Sequence, residues 1–493
     1  MNDVYAAHHL IDGEWIPVTG DTFESHSTSD GSVLARAPIA DADMVDRAVK
    51  AARRAFDETD WKDRRAAERA NVLLELGRRL DDAAEDISRL VSAEMGKPYR
   101  LTLEREVRGA ADKFRYFAGA ARAIEGEVTG ASPAHILDIS VPNPVGVCAL
   151  IIPWNDPVDL AVRKLGAALA AGCTAVVKPS EETPASTEAL MRLFDGVPGL
   201  PDGVVNVVHG PGDPTGAALV AHPDVDKVSF TGSTATGRKI MASAAATLKR
   251  VSLECGGKAP CLVFPDADME KALDALSWGA FLYGGQSCTA ATRIIVHTDV
   301  YDEFLDAFKA RAEALPVGDP LELTTLIGPL VSERQVERVR RLLDTVEEDG
   351  GTFLTGGTID GLYVTPTIIT DIAPDSRVAS QEVFGPVVCF FRAEDEDHAI
   401  ALANGVRYGL GASVWTTNVN RALRLTRRLE AGDVWVNTHY VRQSETPFGG
   451  WKESGLGREL GMAGMREYIA FKRIAFDTSE QFHLKAWWNS LEG

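Results

Sequence analysis

The chain of 493 residues is too long for one hydrophobic core, so we expect two or three domains. It carries 51 Lys and Arg against 71 Asp and Glu, and the net charge of −20 argues against nucleic acid or an anionic membrane as a partner. The sequence has no basic N-terminal region before an apolar run, no apolar stretch of ~18 residues and no CxxC pair, so we expect a reduced, cytoplasmic protein without a membrane span.

The first half of the chain changes pattern near residue 147. Residues 1–125 open with a short β-like stretch and are otherwise mostly amphipathic helix, and 136–146 has the pattern of a protruding strand. The runs that follow are rich in β-branched residues and read "VCALII", "TAVVK", "VVNVVHG", "KVSFTG" and "RVSLE". The helical patterns between them begin near Pro157, Pro184, Pro214 and Ala235. This alternation predicts parallel βαβ units in one open sheet with helices on both faces.

A second alternating region follows and predicts a second α/β domain. Its helices are expected near 268–282 and 300–313. Its strands are expected at "CLVF", "TRIIVH", "GPVVCFF", "GASVWTT" and "GDVWVNT".

Polar and glycine residues gather where the first five strands end. The segments are "IIPWNDP", "VVKPSE", "VVHGPGDPTG", "SFTGSTATG" and "SLECGGK". Each alone is compatible with an ordinary turn, and "GPGDPTG" is not a regular GxGxxG motif. Because ligands of parallel sheets bind beyond the carboxyl ends of the strands, the five together predict one composite site at one sheet edge.

One cysteine stands in an unusual context. Cys288 lies in "YGGQSCTAATR", after two glycines and a glutamine. Four others lie in or beside apolar runs, as expected for small buried hydrophobic residues: Cys148, Cys173, Cys261 and Cys389. The polar turn around Cys288 instead predicts an accessible thiol.

The motifs "PWNDP", "KPSE", "FTGS", "ECGGK", "GQSC" and "EVFGP" occur in the order and at about the spacing of the NAD(P)-dependent aldehyde dehydrogenase superfamily. The chain resembles this family from its N-terminal helices through "PFGGWKESGLGRELG", including the separation of Glu254 from Cys288. Two positions depart from the family pattern. Asp156 replaces the usual Phe, and Cys255 replaces the usual Leu, so we interpret Cys255 as a substituted core position.

The resemblance implies a division of the α/β chain into three parts. A Rossmann-like NAD-binding domain with an open parallel sheet would comprise 1–125 and 147–256, and a second α/β domain, 257–455, would be catalytic. A small β oligomerisation arm and C-terminal tail would comprise 126–146 and 456–493. Family members with such an arm assemble as homodimers or homotetramers. No role is assigned to Trp487 and Trp488 in the tail.

The chemistry of aldehyde oxidation explains the predicted catalytic residues. A bare carbonyl carbon does not release hydride, whereas addition of the Cys288 thiolate gives a tetrahedral carbon that does. Glu254 matches the family's general base for thioester hydrolysis. Asn155 is expected to form an oxyanion hole with the backbone N–H of Cys288. The alternatives are a solvated carboxylate at a strand end for Glu254 and a turn residue for Asn155.

The resemblance also implies NAD as cofactor, and no metal site is predicted. Lys178 and Glu181 match the pair that holds the adenine ribose, and Glu382 matches a contact to the nicotinamide ribose. Gly232 and Ser233 open a helix whose backbone N–H groups can bind the pyrophosphate. The complete predicted cofactor set is Trp154, Lys178, Ser180, Glu181, Gly212, Gly232, Ser233, Gln335, Glu382 and Phe384.

The predicted substrate residues are Asp156, Arg163 and Arg442, at positions where many relatives have aromatic side chains. Arg163 is similar to a carboxylate-binding arginine of succinic semialdehyde dehydrogenases, although their second pocket arginine is Leu282 here. The alternative is an ordinary ion pair between Arg163 and Asp159, four residues apart on one helix. A polar or carboxylated small-molecule aldehyde is therefore the expected substrate.

Two other functions remain open from the sequence. CoA-acylating relatives release an acyl-CoA, but they commonly lack the glutamate present here as Glu254. A non-catalytic binding or structural relative would tolerate loss of Cys288 or Asn155, and both are present.

Overall fold

The computed structural model describes residues 4–479, which form two large β-sheets flanked by helices, an antiparallel arm and several small β-ribbons. Among these residues we find no helix with the length and apolar character needed to cross a membrane. Trp487 and Trp488 lie outside the described residues.

The first large sheet has eight strands. In order across the sheet they are Gly455–Leu456, Arg250–Glu254, Lys227–Thr231, Val147–Ile151, Thr174–Lys178, Val205–Val207, His9–Ile11 and Glu14–Ile16. The five inner strands from Arg250–Glu254 to Val205–Val207 are mutually parallel, and the strands outside them are antiparallel. These five are the strands predicted from the alternating pattern, and the Rossmann-like open sheet is confirmed.

The second sheet has seven strands, and all but its first are parallel. In order across the sheet they are Thr352–Thr355, Thr367–Thr370, Val387–Ala393, Ala291–His297, Ala259–Val263, Gly411–Trp415 and Asp433–Val436. Five of them contain the predicted runs. The first two, at one side of the sheet, were not predicted from sequence.

Helices cover both faces of the sheets. Their bounds are Ala42–Glu58, Ala66–Asp82, Ala84–Met95, Tyr99–Leu101, Arg108–Ala121, Pro157–Ala171, Pro184–Arg192, Ala217–Ala221, Thr234–Ala244, Met269–Phe281, Tyr301–Glu313, Glu333–Leu343, Arg377–Ser380, Glu396–Asn404, Val419–Arg428 and Gly461–Arg466. Pro157 and Pro184 stand at first helical positions, where the missing N–H has no helical partner. The start predicted at Pro214 differs, because a π-helical segment, Gly212–Gly216, precedes the helix there. The helix predicted from Ala235 begins at Thr234, where the Ser233 side chain accepts a hydrogen bond from the N–H of Thr236.

A three-stranded antiparallel sheet forms the predicted β arm. Ile136–Pro144 pairs along its whole length with Ile469–Asp477, and Glu127–Val128 adds the third strand. The remaining strands form small units: Tyr5–Ala6, Thr22–His26 and Val33–Pro38; Ile359–Asp360 and Tyr363–Val364; Tyr408–Gly409 and Trp451–Lys452.

The helix Pro157–Ala171 is buried along its entire length and packs against Arg108–Ala121. It nevertheless carries Asp159, Arg163 and Lys164. Buried charges require compensating partners, so this helix brings polar chemistry into the interior.

Candidate active site

The turn before Cys288 explains its glycines. Tyr283, Gly284 and Gly285 have φ values of 55°, 62° and 69°, three consecutive residues in the left-handed region. A Cβ on Gly285 would also overlap the Gly385 backbone. Glycine is favoured at such positions because it has no Cβ.

Gln286 fixes this turn from the inside. Its side-chain oxygen accepts a hydrogen bond from the N–H of Val331 at 3.0 Å, and its amide nitrogen donates to the carbonyl of Tyr283 at 3.1 Å. The turn delivers Cys288 to the start of the strand Ala291–His297. Gln286 therefore positions the cysteine, a role that the sequence motif did not reveal.

All six cysteines lie within residues 4–479, and Cys288 alone is not fully buried. Burial of the sulfur raises the pKa of Cys288 to about 11, while the Arg442 guanidinium opposes the shift. An Arg442 nitrogen stands 4.0 Å from the sulfur. Cys255 is buried, and a Cβ on Gly237 would come 2.8 Å from its sulfur, which fits a packed core position.

The two glycines of "ECGGK" allow three parts of the site to meet. A Cβ on Gly257 would clash with the carbonyl oxygen of Cys288, at a distance well below 3.0 Å. A Cβ on Gly256 would lie 2.5 Å from Oε2 of Glu382. The N–H of Gly257 donates to Oε1 of Glu382 at 2.9 Å. Close backbone approach thus joins the Glu254 strand end, the cysteine turn and Glu382.

Glu254 lies in a nearly closed environment. It is 4% exposed, and among the described residues its Oε2 has no hydrogen-bond partner. A Cβ on Gly449 would come 2.9 Å from its Oε1, so glycine there leaves room for the carboxyl group. Burial, together with the neighbouring Glu459 carboxylate, raises the pKa of Glu254 well above its usual range.

A buried ion pair lies near Glu254 and was not predicted from the sequence. The Lys164 ammonium contacts the Glu459 carboxylate and donates to Oγ1 of Thr231 at 2.7 Å. A lysine within an otherwise apolar helix was the available signal for Lys164. For Glu459 no local pattern distinguishes a buried carboxylate from a surface one.

Asn155 is 6% exposed and directs its amide toward the cysteine turn. Its Nδ2 donates to the backbone carbonyl of Gln286 at 3.3 Å, a long bond. An amide held this loosely beside the cysteine turn could donate instead to an oxygen formed next to Cys288.

A cavity of about 140 Å³ brings most of the predicted site residues together. Catalytic, cofactor and substrate candidates share its lining: Trp154, Asn155, Asp156, Arg163, Gly232, Ser233, Glu254, Cys288, Gln335, Glu382, Phe384 and Arg442. Four predicted cofactor residues lie outside it: Lys178, Ser180, Glu181 and Gly212.

The residues outside the cavity surround the end of the strand Thr174–Lys178. The Lys178 ammonium donates to the carbonyls of Pro179 and Gly210 at 2.6 and 2.7 Å, and burial lowers its pKa to about 8. Glu181 lies 3.4 Å from the guanidinium of Arg334. Ser180 is buried, whereas a Cβ on Gly212 would meet no atom within 4 Å.

The hydrogen-bonding groups and aromatic rings around the cavity are suited to bind a dinucleotide. Ser233 caps the helix Thr234–Ala244, whose first N–H groups can bind a phosphate. Glu382 is a buried acceptor suited to a ribose hydroxyl, and burial raises its pKa. The rings of Trp154 and Phe384 lie edge to face with centroids 5.2 Å apart beside it.

A second cavity of about 660 Å³ adjoins the first, and Asp156, Arg163 and Arg442 line both. Most of these charges are already paired. Arg163 donates a hydrogen bond from Nε to Oδ2 of Asp159 at 2.7 Å, and its Nη2 lies 2.6 Å from the same oxygen, which is the predicted alternative contact. Asp156 accepts from the buried Lys97 ammonium at 2.5 Å.

Lys97 was not predicted from the sequence. It is fully buried, also donates to Glu106 at 2.5 Å, and lies 4.2 Å from the centroid of the Tyr283 ring. Glu106 in turn accepts from the N–H of Val158 at 3.0 Å, at the start of the buried helix. The wall of the outer cavity thus contains an ion-pair network beside the aromatic rings of Tyr283 and Tyr440.

The chain has two large β-sheets flanked by helices and one half-buried cysteine, Cys288, in the cavity. This architecture is that of the aldehyde dehydrogenase fold. A solved aldehyde dehydrogenase of Bacillus cereus, as an NAD+ complex, superposes with a TM-score of 0.94 at 38% identity, covering 96% of this chain and 97% of that one. A betaine aldehyde dehydrogenase of Staphylococcus aureus, also solved with NAD+, gives a TM-score of 0.95 at 34% identity, over 97% of this chain and 96% of that one.

Sequence comparison agrees with the fold. The model of the aldehyde dehydrogenase family matches residues 15–474. A mitochondrial aldehyde dehydrogenase of Leishmania tarentolae is 42% identical over 472 residues, 95% of this chain and 94% of its own. The chloroplastic betaine aldehyde dehydrogenase of Amaranthus hypochondriacus is 40% identical over 482 residues, 95% of this chain and 96% of its own. The chain belongs to the aldehyde dehydrogenase family.

Proposed function

We propose that this protein oxidises an aldehyde to the carboxylic acid, with NAD as hydride acceptor and Cys288 as covalent nucleophile. The observation that carries this proposal is the single cavity that joins Cys288, Glu254 and Asn155 to the predicted cofactor residues. Membership of the aldehyde dehydrogenase family supports it.

The first step is addition of sulfur to the aldehyde. The Cys288 thiol loses its proton to solvent, the thiolate sulfur forms a bond to the carbonyl carbon, and the carbonyl electron pair moves to oxygen. Asn155 and the backbone N–H of Cys288 stabilise this oxygen, and removing one such donor typically slows a reaction by about 10²–10³. Burial raises the pKa of Cys288 to about 11, and the nearby Arg442 charge acts in the opposite direction, toward the thiolate.

NAD, when bound, would supply the hydride acceptor, and loss of hydride from the tetrahedral carbon leaves Cys288 as a thioester. Trp154, Phe384 and Glu382 would hold the nicotinamide end of the cofactor next to the sulfur. Ser233 and the helix N-terminus behind it would hold the pyrophosphate.

Hydrolysis returns the free thiol. Glu254 accepts a proton from water, the resulting hydroxide adds to the thioester carbon, and the carbon–sulfur bond breaks as the acid leaves. The raised pKa of Glu254 matches a base that takes a proton and later releases it to solvent. Among the charged groups near Glu254, the Glu459 carboxylate raises its pKa and the Lys164 ammonium lowers it.

The charged wall of the outer cavity supports a polar or carboxylated aldehyde as substrate. Asp156, Arg163 and Arg442 line both cavities, Lys113 also lines the outer one, and the buried Lys97 pairs with Asp156 from behind. An alkyl chain would displace water from these groups without replacing its hydrogen bonds.

The function is tested by following NADH absorbance with a panel of aldehydes, with and without CoA. Hydrolytic oxidation predicts NADH formation without CoA and a carboxylic acid product. Strict dependence on CoA would instead identify an acylating enzyme, and no turnover with any aldehyde would favour a non-catalytic role.

The arm supports assembly as a homodimer or homotetramer. Leu137, Phe471 and Phe476 project from it with 45%, 51% and 49% of their surface exposed. Apolar side chains exposed together on a protruding sheet are typical of an interface. Light scattering would measure the mass of the assembly.

A further inference from the structure

Arg442 differs from the other charged groups around Cys288 because no carboxylate neutralises it. Among residues 4–479 no carboxylate oxygen comes within 4.0 Å of its guanidinium, and Asp156 and Asp433 act on it only from farther away. Its Nε is buried without a hydrogen-bond partner among the same residues. A half-buried cation whose Nε is shielded from water and unpartnered favours an anionic ligand.

The opposite holds for Arg163. It is 4% exposed, and its guanidinium is occupied by the Asp159 carboxylate at 2.6 Å, with Glu459 at 3.9 Å. Phe448 lies between the two arginines, with its ring centroid 5.5 Å from Arg163 and 4.5 Å from Arg442. A substrate carboxylate would have to displace Asp159 from Arg163, whereas Arg442 has free donor capacity.

The position of Arg442 restricts where that anion can stand. One of its nitrogens donates to Oγ1 of Thr289 and lies 4.0 Å from the Cys288 sulfur. A carboxylate oxygen that accepts a charge-assisted hydrogen bond from the guanidinium lies only ~2.8 Å from the donor nitrogen. A carboxylate bound there must therefore stay within a few covalent bonds of the carbon that is attached to sulfur.

We propose that Arg442 is the anion-binding group of the pocket and that the substrate is a short aldehyde acid, with its carboxylate on the carbonyl carbon or on the next carbon. This inference rests on the proposed function. Longer aldehyde acids would carry their carboxylate past Arg442 into the outer cavity, where Lys97, Lys113 and Arg163 are already paired and Arg105 is exposed to solvent.

Alkylation of Cys288 tests the geometry without any turnover. Iodoacetate and iodoacetamide both form a bond from sulfur to the same carbon as iodide leaves, and only iodoacetate places a carboxylate next to that carbon. We expect the ratio of iodoacetate to iodoacetamide rates at Cys288, measured by peptide mass spectrometry, to exceed that of N-acetylcysteine by about tenfold or more. Changes in thiol pKa affect both reagents and cancel in the ratio.

The variants Arg442→Gln and Arg442→Lys separate charge from structure. Arg442→Gln should return the ratio to that of the free thiol, and Arg442→Lys should keep part of the preference. Arg105→Gln is the matched control, because Arg105 is exposed on the outer cavity and stacks 4.9 Å from the Trp278 ring. A ratio in Arg442→Gln equal to that of the native chain would overturn the proposal.

Steady-state turnover provides a second, independent test. The native chain should show at least tenfold higher kcat/KM for glyoxylate or malonic semialdehyde than for acetaldehyde or propanal, and Arg442→Gln should remove this preference. Oxidation of all four at similar kcat/KM would overturn the anion site and leave the dehydrogenase function standing. Selective carboxymethylation without oxidation of any aldehyde would support the anion site and overturn the proposed function.

Discussion

Replacing Gly257 by alanine should damage catalysis through geometry alone. The new Cβ would clash with the carbonyl oxygen of Cys288, at a distance well below 3.0 Å, and this backbone atom cannot rotate away. One of the two chain segments must therefore shift by about an ångström, and displacement on this scale at reacting groups can slow turnover about 10²-fold. Overpacking of this kind typically lowers the free energy of unfolding by ~1–3 kcal/mol.

The neighbouring glycine supplies the contrast. A Cβ on Gly256 meets the Glu382 carboxylate at 2.5 Å, and that side chain can move aside. We expect Gly257→Ala to lower kcat and the alkylation rate of Cys288, and Gly256→Ala mainly to raise KM for NAD. Gly119→Ala, on an exposed helix position with no atom within 4 Å, is the control. Native kcat in Gly257→Ala, at native secondary structure by circular dichroism, would refute the reasoning.

Further results are expected from four variants and from the pH dependence of the native chain. Cys288→Ala should abolish NADH production while NAD still binds, as measured by calorimetry. Glu254→Gln should give a burst of about one NADH per active site and then slow turnover. In the native chain, thioester hydrolysis should accelerate as pH rises through the raised pKa of Glu254, because only the ionised carboxylate accepts a proton. Glu181→Gln should narrow the preference for NAD over NADP by about tenfold, since its carboxylate would repel a 2′-phosphate. Phe471→Glu should reduce the assembly mass in light scattering if the arm joins copies of the chain.

The parts of the fold and site that were predictable depend on local sequence. The five parallel strands follow from short apolar runs between helical patterns, and the Cys288 turn follows from its glycines. The Asp159–Arg163 pair was foreseeable because residues four apart share a helix face. In each case neighbours in sequence are also neighbours in space.

The parts that were not predictable depend on long-range contacts. Lys164 and Glu459 are 295 residues apart, and only the folded sheet edge brings them together beside Glu254. Lys97 and Asp156 are separated by 59 residues in the same way. The raised pKa values of Glu254 and Cys288 follow from burial, which no short motif encodes. The sequence could thus indicate candidate reacting groups but not their protonation.

The charged wall of the pocket is itself an argument for polar substrates. Buried ion pairs contribute little net stability, and apolar residues of similar volume often replace them without loss. The family usually has Phe where this chain has Asp156, whose carboxylate is held by the fully buried Lys97. Stability alone does not explain this exchange of an aromatic ring for an ion pair. The proposed recognition of a charged or hydrogen-bonding substrate would explain it, because paired charges disfavour alkyl chains and Arg442, which no carboxylate neutralises among the described residues, would attract an anion to the thiol.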